Sequence, residues 1–190
     1  MNWFPERAGG LNRVYYDCLH HLPQVGVEIR GIVEGSNTLK RDSGGLVQSF
    51  APLKSPLWKR WWGMRGAFNS LLAEEDCPLV VSHFALYTFP ILDQLGERPL
   101  ISHFHGPWAL ESSVEGNKSI ATWLKKSLEQ AVYQRTANFI VLSQAFRNIL
   151  HKEYRVPLER IHIVPGGVDT NYFDTSLSQK ETRAKLNWPQ

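Results

Sequence analysis

Pro99-Leu-Ile-Ser-His-Phe-His-Gly-Pro-Trp108 is the stretch from which the fold can be read. A short apolar run, Pro99 to Ser102, leads into two histidines two positions apart, and the Gly106-Pro107 step breaks the run. This pattern predicts a buried strand that ends at the glycine. Open α/β sheets carry their chemistry at the carboxyl ends of strands, where His103 and His105 fall. The two-residue period of a strand turns both rings to one side. Gly106 has no side chain, so a ligand can approach the backbone there.

Working outward, the same alternation recurs along the chain. Arg7-Ala-Gly-Gly10 opens a helix whose stripe is Leu11, Val14, Tyr15, Cys18, Leu19 and Leu22, and Pro23 and Gly26 end it. Val27 to Val33 is expected as a strand, and Glu34 to Ser49 as a polar loop. Leu57 to Leu72 is expected as a helix with Trp58, Trp61, Trp62, Phe68 and Leu72 turned inward. Pro78 to Ser82 is a strand that stops at His83, and Ala85 to Leu95 is a helix capped by Gly96. After the histidine strand and a polar loop, Glu111 to Lys118, a helix runs from Ile120 to Arg135. Its expected inner face is Ile120, Trp123, Leu124, Leu128, Ala131 and Val132. Asn138 to Leu142 is a strand, Ser143 is the N-cap of the helix carrying Phe146, Ile149 and Leu150, and Arg160 to Val164 is the last strand. Alternation at this spacing predicts a parallel, Rossmann-like α/β sheet with helices on both faces.

The 190 residues are 43% hydrophobic and 21% charged, enough for one domain with a sizeable core. Only six residues precede the Arg7 to Gly10 turn, so the first strand is expected to be cut short. The domain is read as 1–176, with 177–190 as the start of a linker to a second domain. The net charge of +3 and pI near 8.9 suit a phosphate-bearing ligand or an anionic membrane surface and are too mild to indicate nucleic acid. Cys18 and Cys77 are far apart, show no metal spacing, and fit a reduced cytoplasmic protein. No apolar run approaches the roughly 18 residues of a membrane span, and no secretory leader is visible.

Three places could carry chemistry. Gly9-Gly10 at a helix start offers free backbone N–H groups to a phosphate, or is simply a tight turn; G-x-G-x-x-G is absent, so no dinucleotide cofactor is expected. His83, His103 and His105 all sit at predicted strand ends, as satisfied histidines or as ligands to a sugar or phosphate. No H-E-x-x-H accompanies them, and no metal is expected. Lys54, Lys59, Arg60 and Arg65 interleave with Trp58, Trp61 and Trp62, which is either a packed helix or a surface for an anionic membrane interface. A serine nucleophile is excluded by the lack of G-x-S-x-G.

The ordered set resembles the family 4 (group 1) retaining glycosyltransferases. Its members are the glycine-glycine turn with its helix, His105-Gly106 at a strand end, Val141-Leu-Ser-Gln-Ala-Phe146 before a helix, and Val164-Pro-Gly-Gly-Val-Asp169 followed by Phe173. The similarity covers nearly the whole chain as the N-terminal half of a two-domain GT-B fold. It implies a nucleotide-sugar donor, a glycan or lipid-linked acceptor, no cofactor and metal-independent transfer. Gly9 and Gly10 look like the family's glycine loop near the donor diphosphate, and Asn12 stands where a polar side chain could reach the same cleft. His105 matches the histidine facing the donor sugar and is the expected catalytic residue. Gly106 and Ser143 join the expected binding set. Gly166 replaces the family's usual Asn in the turn to the second domain, and no glutamate here has another eight residues on, a pair the family carries in its C-terminal domain. The chain alone is therefore expected to have little transferase activity. Peripheral contact at the inner face of the membrane through the tryptophan helix is the alternative to its ordinary inward packing. The competing readings are a non-catalytic sugar-phosphate-binding module that partners a separate donor-binding chain, and a metal-dependent hydrolase on the three histidines.

Overall fold

Every strand in the sheets pairs parallel to its neighbours. The computed structural model describes residues 1–74, 77–109, 120–168 and 177–189. A two-stranded sheet joins β1 (Gly31–Glu34) to β2 (Val47–Ala51), and a four-stranded sheet runs in the order β3 (Val80–Ser82), β4 (Leu100–Phe104), β5 (Asn138–Val141), β6 (Ile161–Ile163). Asn2 makes a single isolated parallel bridge to Glu34 beside β1. The two sheets are tied by side chains, with the Tyr87 hydroxyl donating to Glu34 Oε2 at 3.3 Å.

Two sequence expectations need correction here. Residues 27–30 are not in a strand; β1 begins at Gly31, and Val27 is exposed. The supposed polar loop from Glu34 to Ser49 holds a helical turn, α2 (Leu39–Asp42), and the start of β2, whose Val47, Phe50 and Ala51 are buried. Its polar residues, Gln48 and Ser49, hid the strand from a hydropathy reading. Ser49 Oγ donates to Gly35 O at 2.7 Å, and Gln48 Nε2 to Ala67 O at 2.8 Å. Their polar atoms are satisfied inside the fold.

Helices cover both faces: α1 (Gly10–His21), α3 (Leu57–Glu74), α4 (Ala85–Thr88) with a 3₁₀ continuation (Phe89–Gln94), α5 (Ile120–Arg135), α6 (Gln144–Tyr154) and α7 (Gln179–Lys185). The inward face of α3 is set by Gly63, Met64 and Phe68, which lie within one arc of the helix. A Cβ at Gly63 would sit 2.0 Å from the Phe50 carbonyl oxygen, so only glycine lets α3 lie this close to β2. That rotation turns Trp58 and Trp62 outward, 66% and 71% exposed, against the expectation that both pack inside. Trp61 is half-buried against Phe89, with ring centroids 5.5 Å apart.

A similar rotation occurs on α5. Val132, Tyr133 and Glu129 are buried, whereas Ile120, Trp123 and Leu124 are exposed, which corrects the expected stripe. The Tyr154 hydroxyl donates to Glu129 Oε2 at 2.6 Å, so a carboxylate occupies a core position that hydropathy assigns to solvent. The larger core gathers Phe139, Val141, Leu100, Phe104 and Leu150 between α5 and α6. The smaller packs Trp3, Tyr15, Leu19 and Val33 under α1.

Candidate functional site

Strand register builds the site. Val80, Val81 and Ser82 pair with Leu100, Ile101 and Ser102, which sets His83 beside His103 as the chain leaves β3. The strand β4 ends at Phe104, just ahead of the glycine, so His103 lies within it and His105 just beyond. Leu100, Ser102 and Phe104 are buried on one face, and Ile101, His103 and His105 share the other. The His103 and His105 ring centroids are 4.2 Å apart, and both rings lie within 5.4 Å of that of His83. His83 Nδ1 and His105 Nε2 are hydrogen-bonded at 3.1 Å, while His103 Nε2 is buried with no partner.

The environment keeps these rings uncharged. Burial, reinforced by the neighbouring His103 and His105, lowers His83 to about 3, and burial with His103 lowers His105 to about 3. Burial also lowers His103. Two neutral imidazoles suit the His83–His105 bond, because one ring nitrogen must donate and the other accept. The N–H on this pair then fixes the role of His105 Nδ1, the nitrogen not used in the bond.

A cavity of about 240 Å³ opens on this cluster, and its wall includes Leu11, His83, His103, His105, Gly106 and Trp108. Leu11 brings the first turn of α1 to the same wall. Gly9 is the N-cap of α1, no side chain caps that end, and the first turn has no acidic residue. Its N–H groups and dipole favour an anion. A larger hollow of about 400 Å³ lies at Trp3, Glu6, Tyr16 and Asp42. Its acidic groups are already engaged: Glu6 accepts from Ser36 N at 3.0 Å, and Asp42 from Thr38 Oγ1 at 2.7 Å. The histidine cavity is therefore the stronger site.

The other expected residues fall as follows. Gly106 has φ 142°, a conformation that side chains rarely adopt, so glycine is required where β4 turns away. Gly10 has open space where a Cβ would point, and Gly9 faces the Asn12 amide. Asn12 is buried, its Oδ1 accepting from Asn2 N at 2.9 Å and its Nδ2 donating to Arg7 O at 3.1 Å. It braces the glycine turn from within. Ser143 Oγ accepts from Phe146 N at 3.3 Å as the N-cap of α6, two residues beyond β5 at the same sheet edge; it is not in the cavity wall. Gly166 and Gly167 follow β6 on the surface, while Asp169 to Phe173 and the Glu111 to Lys118 loop lie outside the described residues. Sequence reading grouped the three histidines without their contact. The recurrent Ser-His step, Ser82-His83 and Ser102-His103, was the signal that two strands end in register.

This architecture is that of a glycosyltransferase Rossmann-like domain. The crystal structure of a glycosyltransferase from Rickettsia africae ESF-5 is similar over 96% of the chain, with a TM-score of 0.62 at 15% identity. The chain spans 47% of that structure. The model of Glycosyltransferase Family 4 matches residues 8–172, and the chain belongs to that family. No curated protein matches the sequence. Among the described residues, no helix is long and apolar enough to cross a membrane.

Proposed function

We propose that this chain is the acceptor-binding half of a retaining glycosyltransferase, which moves a sugar from a nucleotide-sugar to a glycan or lipid-linked acceptor when joined to a donor-binding half. The observation that carries this reading is the neutral His105 beside Gly106, in one cavity with the uncapped first turn of α1. In retaining transfer the acceptor hydroxyl attacks the anomeric carbon on the face from which the diphosphate leaves. Positive charge grows on the sugar and negative charge on the leaving phosphate. The α1 N-terminus offers N–H groups to the phosphate, in place of a metal. An uncharged His105 can orient a sugar hydroxyl without repelling the cationic anomeric centre. Its Nε2 is held by His83, so Nδ1 is the atom that meets substrate.

The acceptor surface extends to α3. Trp58 and Trp62 stand exposed beside Lys54 and Lys59, a pairing suited to the interface of an anionic membrane where a lipid-linked acceptor would lie. Such contact would place the protein peripherally at the inner face of the membrane, on the cytoplasmic side. The test of the function is product analysis. Joined to its donor-binding half and supplied with a panel of nucleotide-sugars, the protein is expected to give a first product that keeps the donor's anomeric configuration by proton NMR. Inverted product, or acceptor binding without transfer from any donor, would contradict it.

A further inference from the structure

We propose that His83, His103 and His105 form a binding site for a zinc ion, and that zinc there inhibits the transfer reaction by taking His105 Nε2 from His83 and placing a positive charge in the cavity. The second half of this statement rests on the function proposed above; the site itself does not.

One ring nitrogen from each histidine lies within 4.8 Å of the others, the only such group of three His, Cys, Asp or Glu side chains among the described residues. Three nitrogens bound to one tetrahedral zinc at about 2.0–2.1 Å stand about 3.3 Å apart. The His83 Nδ1 to His105 Nε2 edge is already 3.1 Å. Small rotations of the His103 side chain would bring the third nitrogen in. Each neutral imidazole carries one lone pair, and the cluster makes only one hydrogen bond among its rings, leaving His103 Nε2 buried and unpartnered. Ring nitrogens of all three therefore face one another with a single hydrogen bond between them, and a metal ion would take up the lone pairs that the tautomers direct there.

The ligand chemistry narrows the ion to an imidazole-binding transition metal such as zinc. An all-imidazole set suits zinc and is a poor match for magnesium, calcium or manganese, which prefer oxygen. The one carboxylate in the cavity wall, Glu129, accepts from the Tyr154 hydroxyl at 2.6 Å. Three protein ligands leave a fourth position, and the cavity gives it room for water or a substrate oxygen.

The experiment titrates the metal-free 190-residue chain with Co²⁺, whose visible d–d absorption reports tetrahedral nitrogen ligation, and then displaces it with Zn²⁺. One equivalent should bind, Zn²⁺ should displace it, and Mg²⁺ should not compete. His103→Gln and His105→Gln should each weaken binding by at least about tenfold, with the helical circular dichroism unchanged. The paired His20→Ala and His21→Ala change, and His162→Ala, should leave the band intact, since these histidines are exposed and lie outside the cluster. No band in the wild type, or unchanged affinity in either cluster variant, would overturn the site. Should a cluster variant fail to fold, the wild-type imidazole NMR spectrum decides. Zn²⁺ must move the His83, His103 and His105 signals and leave those of His151 and His162 in place; any other pattern overturns the site. Inhibition of transfer by Zn²⁺, reversed by a chelator, then tests the second half separately. A bound metal with no inhibition would refute that half and leave the site standing.

Discussion

Two polar clusters lie at strand ends, one around the buried Glu34 and one of half-buried histidines, and they differ in how completely they are satisfied. At the end of β1, Glu34 accepts from Asn2 Nδ2 at 3.3 Å, from Lys54 N at 3.1 Å and from the Tyr87 hydroxyl at 3.3 Å, with Arg60 at 3.8 Å. At the ends of β3 and β4, the three histidines make one hydrogen bond among themselves, and His103 Nε2 has no partner. A buried polar group whose bonds are complete fixes the fold; one left incomplete beside a cavity is available to a ligand. The Glu34 cluster joins α3, α4 and the two sheets. The histidine cluster faces open space.

The largest expected effect comes from acid. In the folded, metal-free protein His83 and His105 are held at about 3, below their ordinary value of 6.5. Between these values the unfolded chain binds more protons than the native one, so their contribution to stability is full above pH 6.5 and is lost as the pH falls toward 3. Urea midpoints at pH 7 and pH 5 should therefore drop on acidification, and His105→Gln should drop less. Equal drops would break the contrast between the clusters.

Next in size is Glu34→Ala, which leaves the Tyr87 hydroxyl without its buried acceptor and Arg60 without its ion-pair partner. It should cost about 2 kcal/mol in urea denaturation, through the hydrogen bonds lost from Asn2, Lys54 and Tyr87. A loss below about 1 kcal/mol would show that the satisfied cluster is not structural. Gly106→Ala forces a Cβ onto φ 142° and should cost about 2 kcal/mol, measured the same way. Ser143→Ala removes the cap of α6 and should cost about 1 kcal/mol. The smallest effect on folding is expected for Gly10→Ala, at a helix start with open space; it should change stability by less than about 1 kcal/mol while weakening donor use, because the same space admits the phosphate. Unchanged donor use would remove the glycine turn from the site.

Local signals made the α/β class, the β4 strand end and the Ser143 cap legible in the sequence. Each depends on a few adjacent residues: an apolar run and a Gly-Pro step, or a serine ahead of a helix. Tertiary choices were not legible. The strand β2 is marked only weakly because Gln48 and Ser49 spend their polar atoms inside the fold. The facing of α3 depends on Gly63 meeting the Phe50 carbonyl, and that of α5 on the Glu129–Tyr154 bond. The site was half legible. The three histidines were read as one set from their strand ends, but that His83 touches the other two follows only from the register of β3 on β4. Asn12 illustrates the reverse, a polar side chain in the right stretch whose amide is committed to the backbone of residues 2 and 7.

The most direct test of the histidine cluster as the working site compares turnover and melting temperature for His105→Ala in the protein joined to its donor-binding half. Turnover is expected to fall about a hundredfold, equivalent to about 2.7 kcal/mol of transition-state stabilisation, with the melting temperature shifted by only a few degrees. Turnover preserved, or activity lost only in step with the melting temperature, would contradict a catalytic role for His105.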